Sequence, residues 1–381
     1  MGQDLRITGF SFKNFRSYER LSFEDVGPLT VFVGPNGVGK TNILEGLQLV
    51  SACTSFKHPT CEEMIKEGAD AGCIELRCSN DARQLETTLA IAPGKKQYRL
   101  NGKAKVASDL KGTLPAVMFT PDDLEIAKKS SSVKRDAIDE LGSQLTANYH
   151  VLLQDCSKVI RYKNQLLKDE APAPLLQSIN DTLVVCGSQL VVYRIALFQK
   201  MVRHIQSRYE SIAHGAEQFD AAYLPSWCES AGSLDQLVEK SRDDVRADMA
   251  RALEANLDQE RARHRSIVGP HADKIEFTLG GKNVSAYASQ GQQRSVVLAF
   301  KLAEVEVIKE TLHQNPILLL DDVMSELDEN RRSALVSLVE NDIQTFITTA
   351  NLDYFDQDLI KRARVVHLPE DLLADNKVGE R

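Results

Sequence analysis

The chain has 381 residues, which suits one large domain or a domain interrupted by an insertion, since domains mostly run about 100 to 200 residues. Hydrophobic residues make up 43% and charged residues 26% of the chain, so it can form a sizeable core and is not wholly disordered. The formal net charge of −8 excludes a globally basic nucleic-acid binder, although a local basic face is compatible with it.

Cysteine usage and hydropathy predict where the protein resides. The seven cysteines are an odd number without paired C-x-x-C spacing, which favours free thiols over a disulfide framework or a zinc site. The N-terminus lacks the pattern of a secretory signal, and no run of about 18 apolar residues is apparent. We therefore expect a cytoplasmic protein that does not span a membrane.

The N-terminal part predicts strands, a glycine-rich turn and a helix in succession. The runs LRITGFSF and LTVFVG alternate apolar and polar residues, and TNILEGLQLV follows with helical spacing. Short alternating segments between roughly 73 and 120, with a turn at Pro93-Gly94, predict an antiparallel sheet.

Between about residues 124 and 265, long segments carry apolar residues at helical spacing. Strand patterns resume at KIEFTLGG, PILLLDDV and QTFITTA. We predict an α/β fold of mixed parallel and antiparallel sheets. Residues 1–123 and 266–381 would form its head, and residues 124–265 an inserted helical lobe. No heptad pattern persists over several turns, which argues against a coiled coil.

The segment GPNGVGKT, residues 34 to 41, matches the phosphate-binding pattern G-x-x-x-x-G-K-[ST] between a predicted strand and a predicted helix. In such a loop the backbone N–H groups face the phosphates, Lys40 reaches the β- and γ-phosphates, and the Thr41 hydroxyl binds Mg²⁺. The predicted nucleotide-binding residues are Gly34, Pro35, Asn36, Gly37, Val38, Gly39, Lys40, Thr41 and Asn42, and the predicted cofactors are ATP and Mg²⁺.

Two carboxylates end the apolar run ILLLDD. A nucleotide site needs a carboxylate for its metal, and Asp321 is the predicted Mg²⁺ partner. Asp322 follows where a carboxylate would position the attacking water, so Lys40 and Asp322 are the predicted catalytic residues.

The segment YASQGQQR resembles the signature motif of the ABC ATPase superfamily, and SELD at residues 325 to 328 resembles its D-loop. The resemblance implies that the signature contacts the γ-phosphate of ATP held by a second copy, so that ATP joins two heads. The implied signature residues are Ser289, Gln290, Gly291 and Gln292, and the implied D-loop residues are Ser325 and Asp328.

Further motifs narrow the resemblance: the opening FKNFRSYE, the loop GPNGVGKTNILEGL, MFTPDDLEIAKKSSSVKRDAID, RHRSIVGPH, YASQGQQRSVVLAFKLAE and LLLDDVMSELD. Together they resemble the RecF family of bacterial DNA replication and repair proteins, which are SMC-like ABC ATPases with a helical lobe and no coiled-coil arm. The resemblance implies ATP-dependent homodimerisation on DNA gaps or junctions, slow hydrolysis, and recombinase loading with RecO and RecR.

Two details follow within that resemblance. Asp322 stands where many ABC ATPases carry Glu, and its shorter side chain predicts slow turnover, since small displacements of a catalytic group lower rates strongly. Lys13 and Arg16 would reach the nucleotide, as similar basic residues do in SMC-like heads.

Basic clusters in or beside the helical lobe are the predicted DNA contacts, and phosphate binding by such residues would be sequence-independent. The residues concerned are Lys128, Lys129, Lys134, Arg135, Arg161 and Lys163.

Two other readings stay open at this point. One is the ATPase subunit of a transporter, although such heads have a shorter gap between phosphate loop and signature. The other is an SMC-like scaffold or an ATPase joined to a nuclease.

Overall fold

The computed structural model describes residues 4–213, 215, 217–228, 232–340 and 343–369. The chain forms two compact units: Met1–Asp123 with Ile308–Arg381, here called unit 1, and Leu124–Val307, called unit 2. The helical insertion was expected to end at residue 265, whereas unit 2 continues to Val307. The reason is that the strand at residues 274–279, after residue 265, pairs with a strand at residues 219–224 inside the insertion.

The strands are given first, in chain order. They are β1 (Arg6–Phe15), β2 (Tyr18–Glu24), β3 (Leu29–Val33), β4 (Gly72–Ser79), β5 (Gln84–Ala92), β6 (Lys95–Leu100), β7 (Lys103–Lys105), β8 (Ala116–Phe119), β9 (Phe219–Leu224), β10 (Lys274–Leu279), β11 (Lys282–Asn283), β12 (Ile317–Asp321), β13 (Thr345–Thr349) and β14 (Arg364–His367).

The α-helices follow in the same order. They are α1 (Lys40–Ser51), α2 (Cys61–Met64), α3 (Ala107–Leu110), α4 (Leu124–Lys128), α5 (Ser131–Leu145), α6 (Ala147–Lys168), α7 (Ala173–Ala213), α8 (Leu234–Glu239), α9 (Arg242–Ala255), α10 (Leu257–Arg263), α11 (Val284–Tyr287), α12 (Gln290–Leu312), α13 (Glu329–Glu340) and α14 (Gln357–Arg362).

Unit 1 contains two sheets. The antiparallel sheet has the order β2-β1-β4-β5-β6-β7, and the parallel sheet has the order β14-β3-β13-β12-β8. Strands β3, β8, β12 and β13 are buried along their whole length, as expected for parallel strands covered on both faces. The predicted α/β class with mixed sheets is confirmed, and β5 and β6 are joined by the predicted Pro93-Gly94 turn.

Helix α1 packs closely against the antiparallel sheet. A Cβ atom at Gly46 would lie 2.4 Å from the Phe12 ring, so a glycine is needed for the helix to approach β1. The Phe10 ring packs at a tilt against the rings of Phe12 and Phe23, with centroid distances of 5.4 and 5.2 Å. This packing fixes the helix that follows the phosphate-binding loop.

Unit 2 combines helices with a small antiparallel sheet of order β11-β10-β9. Strand β9 was not predicted, because it lies within a stretch assigned to helices. The long helix α7 contains a stretch that is apolar enough to cross a membrane, but 56% of that stretch is buried inside the folded chain. The helix is thus packed as a core helix of unit 2.

A buried ionic network crosses the core of unit 2. The Arg194 guanidinium donates to both carboxylate oxygens of Asp139, at 2.8 and 2.7 Å. It also donates to the Pro270 carbonyl at 2.7 Å, and the Tyr223 hydroxyl donates to Asp273 at 2.6 Å. The Gly269-Pro270-His271 segment is therefore held by core polar groups.

Candidate nucleotide-binding site

The phosphate-binding loop lies between β3 and α1, as the sequence predicted. Gly37 and Gly39 have φ angles of 84° and 106°, a region that favours glycine. At Gly39 a Cβ atom would also lie 2.8 Å from the Tyr18 hydroxyl and 2.9 Å from the Ser17 hydroxyl. A side chain there would strain the backbone and clash with the β1–β2 turn.

Lys40 is the buried cation of this loop. Its Nζ atom donates to the carbonyls of Gly34 at 2.7 Å and Pro35 at 3.0 Å, and the residue is only 7% exposed. Burial lowers the pKa of Lys40, while the nearby carboxylates of Asp322 and Asp321 act in the opposite direction. Because the hydrogen-bond partners are neutral carbonyls, the ammonium fits an anionic phosphate held by the loop.

Thr41 and Asp321 meet across unit 1, although 280 positions separate them in the chain. The Thr41 hydroxyl donates to Asp321 Oδ1 at 2.9 Å, and the Thr348 hydroxyl donates to the same oxygen at 2.7 Å. A hydroxyl and a carboxylate are hard oxygen donors of the kind that Mg²⁺ prefers. The two residues predicted to bind the metal thus form a set that fits it.

Thr348 was not predicted as part of this set. It reaches Asp321 because β12 and β13 pair in parallel with Asp321 opposite Thr348. The sequence signal is only a threonine near the end of an apolar strand. Strand order and register were needed to place it.

Asp322 directly follows β12 and has a left-handed conformation, with φ of 51°. Its N–H donates to the Thr348 carbonyl at 3.1 Å, and its carbonyl accepts the Ser325 hydroxyl at 2.8 Å. The Asp328 carboxylate accepts the Arg331 N–H at 3.0 Å, at the start of α13. Ser325 and Asp328 of the predicted D-loop therefore stabilise the two turns that follow β12.

Arg16 was predicted to reach the nucleotide, but in the structure its guanidinium contacts protein groups. Its guanidinium donates to both carboxylate oxygens of Glu45 in α1, at 2.9 and 2.7 Å, and to the Glu63 carbonyl at 2.7 Å. Ser55 donates to Glu45 at 2.8 Å, and the Glu45 side chain is fully buried. This ion pair fixes α1 to the β1–β2 turn, and only the fold identifies Glu45 as its partner.

The signature residues lie in unit 2, at the start of α12. The Ser289 hydroxyl accepts the Gln292 N–H at 3.2 Å, and Gln292 Oε1 accepts the Ser289 N–H at 2.7 Å, a reciprocal capping arrangement. Gln292 also donates to Glu217 at 2.6 Å. Ser289 and Gln290 are exposed, whereas Gly291 and Gln292 are half-buried.

The six cations predicted to contact DNA differ in how far they are buried. Lys163 is fully buried and pairs with Glu260 at 2.6 Å. Lys134 is buried too, and donates to the Lys129 carbonyl at 2.9 Å. For these two the prediction is corrected, since Lys163 is neutralised by a buried carboxylate and Lys134 lies buried over the Phe277 ring, 5.4 Å from its centroid.

The remaining four cations of that prediction differ among themselves. Arg135 is half-buried and donates to the Asp273 carbonyl. Lys128, Lys129 and Arg161 are exposed, and Lys129 pairs with Glu125 at 2.5 Å. Their contact with DNA stays a prediction.

Comparison with known proteins identifies the family. The family model of the RecF/RecN/SMC N-terminal domain matches residues 6–367. The chain is also 30% identical over 368 residues to the "DNA replication and repair protein RecF" of Lactobacillus johnsonii, covering 95% of this chain and 97% of that protein. The chain belongs to the RecF family. The protein of the same name from Halalkalibacterium halodurans is 31% identical over 372 residues. That match covers 96% of this chain and 98% of the relative.

Solved structures agree with this assignment to the RecF family. The structure described as "the recombination mediator protein RecF-ATPrS in RecFOR pathway" has a TM-score of 0.86 and 26% identity, covering 93% of this chain and 95% of that one. An SMC head bound to the C-terminal winged-helix domain of ScpA has a TM-score of 0.52 and 17% identity, covering 95% of this chain and 93% of that one. The predicted ABC/SMC-type head fold is confirmed.

Proposed function

We propose that this protein is an ATP-driven DNA-binding switch of recombinational repair and replication restart. In this proposal it binds ATP and Mg²⁺ in unit 1, dimerises on gapped DNA or single-strand/double-strand junctions, and hydrolyses ATP slowly. It acts in the cytoplasm and helps RecO and RecR to load the recombinase. The proposal is supported by its relatives, which are named as DNA replication and repair proteins, and by a similar structure that is described as part of the RecFOR pathway.

One observation carries the nucleotide part of the proposal. Lys40 is a buried cation in a loop with two left-handed glycines, and Thr41 lies 2.9 Å from Asp321. This combination suits a nucleotide polyphosphate with its divalent cation. Such a cation neutralises charge that develops on the phosphates.

The chain's own groups have separate tasks in this proposal. Lys40 and the loop N–H groups bind and orient the phosphates, Thr41 and Asp321 hold the metal, and Asp322 positions the attacking water. Ser289, Gln290, Gly291 and Gln292 contact the γ-phosphate bound to a second copy, because an exposed helix N-terminus with a hydroxyl favours an anion. Ser325 and Asp328 line the same dimer contact.

ATP is then the ligand that joins two copies, and hydrolysis releases them. The short side chain of Asp322 holds the water less firmly than Glu would, so turnover is slow. A steady-state rate typical of a fast transporter ATPase would contradict this part of the proposal.

Sedimentation of the full chain with and without ATP and Mg²⁺ tests the switch. Wild type and Lys40→Ala are compared, because losing one charge-assisted contact costs about 1.5–3 kcal/mol, or about 10- to 100-fold in nucleotide affinity. We expect wild type to dimerise with ATP and to co-sediment with gapped duplex DNA only as the dimer. Lys40→Ala should stay monomeric.

Lys361→Ala is a matched control in unit 1, since it removes an exposed cation that pairs with Asp358 at 3.0 Å within α14. It should keep nucleotide affinity near that of wild type. A wild-type chain that stays monomeric with ATP and ignores DNA would contradict the proposal. It would favour an ATPase subunit whose partner supplies the other half of the site.

A further inference from the structure

The β6–β7 ribbon, residues 95 to 105 of unit 1, concentrates positive charge. Its sequence KKQYRLNGKAK has five cations and no carboxylate among eleven residues, in a chain whose 46 Lys and Arg are spread over 381 residues and outnumbered by 54 acidic residues. The five cations are all exposed. They are Lys95, Lys96, Arg99, Lys103 and Lys105.

Few carboxylates neutralise this ribbon. Among the described residues, Lys105 pairs with Asp109 at 3.8 Å, and no carboxylate lies within ion-pairing distance of the other four cations. Glu62 accepts the Gly94 N–H at 2.8 Å, just before the ribbon. Four exposed cations are therefore available to an external polyanion.

The ribbon is also accessible. A turn at Asn101 and Gly102, with φ angles of 48° and 75°, joins its two strands, and β7 is the edge strand of the antiparallel sheet. The residues of β7 are exposed throughout. A two-stranded ribbon with such side chains can lie along a phosphate backbone without rearrangement.

The ribbon is tied to the helix of the nucleotide site. The Tyr98 hydroxyl donates to the Leu49 carbonyl at 3.2 Å, and Lys111, shortly after the ribbon, donates to the Ala52 carbonyl at 2.7 Å. Both carbonyls belong to the C-terminal end of α1, whose N-terminal end carries Lys40 and Thr41. One helix thus connects the phosphate-binding loop to the base of the ribbon.

We propose that the β6–β7 ribbon is a DNA-binding surface, which contacts the phosphate backbone of duplex DNA through Lys95, Lys96, Arg99 and Lys103. This inference rests on the proposed function, and it places the contact in unit 1 rather than on the helical segments. Binding is electrostatic and independent of base sequence, because exposed lysine and arginine side chains that contact phosphates respond to charge and not to base edges.

Lysines on an edge strand have another role, since they prevent sheets from pairing edge to edge. Charge reversal separates the two roles, because glutamate keeps the edge charged and blocks aggregation while it repels DNA. The test variant is Lys95→Glu/Arg99→Glu/Lys103→Glu. The matched control is Lys200→Glu/Lys274→Glu/Lys282→Glu, with the same change in charge at exposed lysines of unit 2, two of them on β-strands.

The experiment measures fluorescence anisotropy of a labelled duplex titrated with full-length protein in ATP and Mg²⁺. We expect the ribbon variant to bind duplexes of unrelated sequence more than about ten-fold more weakly, with nucleotide affinity and melting temperature unchanged. The control should bind like wild type. Replacing the same three residues by Gln should lower the slope of log affinity against log salt by about 3, one for each phosphate contact.

Equal DNA affinity of the ribbon variant and wild type would overturn the inference while leaving the proposed function intact. An equal loss in the control would overturn it as well, by showing an effect of net charge alone. A wild type that binds nucleotide but no DNA would refute the DNA part of the proposed function itself.

Discussion

Two buried lysines, one in each unit, have opposite relations to their surroundings. Lys40 in unit 1 donates to two neutral carbonyls of its own loop. Lys163 in unit 2 faces the Glu260 carboxylate at 2.6 Å, and both side chains are fully buried. Burial lowers the pKa of both ammonium groups, and the carboxylates near each act against that shift.

This difference distinguishes a buried lysine that can bind an anionic ligand from one that stabilises the fold. The charge of Lys163 is matched inside the protein by a carboxylate that also accepts the Ile267 N–H at 2.9 Å, so the pair joins α6 to the segment after α10. The charge of Lys40 is held at the mouth of a phosphate-binding loop, where an anion fits. Burial does not distinguish the two lysines, because both are buried. They differ in the group that each ammonium contacts, which is a neutral carbonyl for Lys40 and a carboxylate for Lys163.

The largest effect is expected for Lys163→Met, which leaves Glu260 buried without its cation. Breaking a buried ion pair in this way costs about 3–5 kcal/mol, so the free energy of unfolding from urea titration should fall by that amount. DNA affinity of the folded fraction should not change. If Lys163→Met left the free energy of unfolding unchanged and weakened DNA binding, Lys163 would be a DNA contact. It would then no longer contrast with Lys40.

A smaller effect is expected for Thr348→Val, which removes one hydroxyl from Asp321 and keeps the side-chain shape. The lost hydrogen bond to Asp321 is worth about 1 kcal/mol, so the Mg²⁺ concentration for half-maximal ATP hydrolysis should rise about five-fold. The Asp322 N–H also loses the Thr348 hydroxyl as an acceptor, but it keeps the Thr348 carbonyl at 3.1 Å. Thr349→Val is the control, because its hydroxyl contacts the Asn351 backbone instead. The same shift in both variants would mean that Thr348 does not orient Asp321.

The smallest effect concerns the acid stability of unit 2. Burial lowers the pKa of His271, while the Ser266 carbonyl opposes this, so the folded state holds the ring neutral. Its contribution is present above the unfolded pKa of about 6.5 and is lost as pH falls below that value, because the unfolded chain then binds more protons.

We therefore expect His271→Gln to lose less unfolding free energy than wild type between neutral and mildly acidic pH. Urea titrations at a series of pH values measure this directly. Parallel pH profiles for the two proteins would show that His271 titrates equally in the folded and unfolded states, and that the acid stability of unit 2 does not depend on it.

The candidate nucleotide site could be located from the sequence because its predicted residues carry local patterns. The loop from Gly34 to Thr41 has fixed spacing between a strand and a helix, and Asp321 ends an apolar strand. Thr348 and Glu45 carry no such pattern. Their roles come from the parallel register of β12 and β13 and from the close packing of α1, which bring together residues that are distant in the chain.

The DNA prediction failed for Lys163 and Lys134 for a related reason. A run of basic residues on a helix gives charge but not the direction of each side chain, and both lysines face the interior of unit 2. The exposed cations of the β6–β7 ribbon form a surface only when the hairpin pairs its strands. The expected end of the insertion at residue 265 was likewise moved by pairing between β9 and β10.

The sequence by itself determined the α/β class, the phosphate-binding loop and the carboxylates that follow β12, because each depends on residues that are neighbours in the chain. Tertiary structure alone decided which cations are buried, which threonine reaches Asp321 and where unit 2 ends. Those features depend on strand register and on burial, and both are set by contacts between segments far apart in the chain.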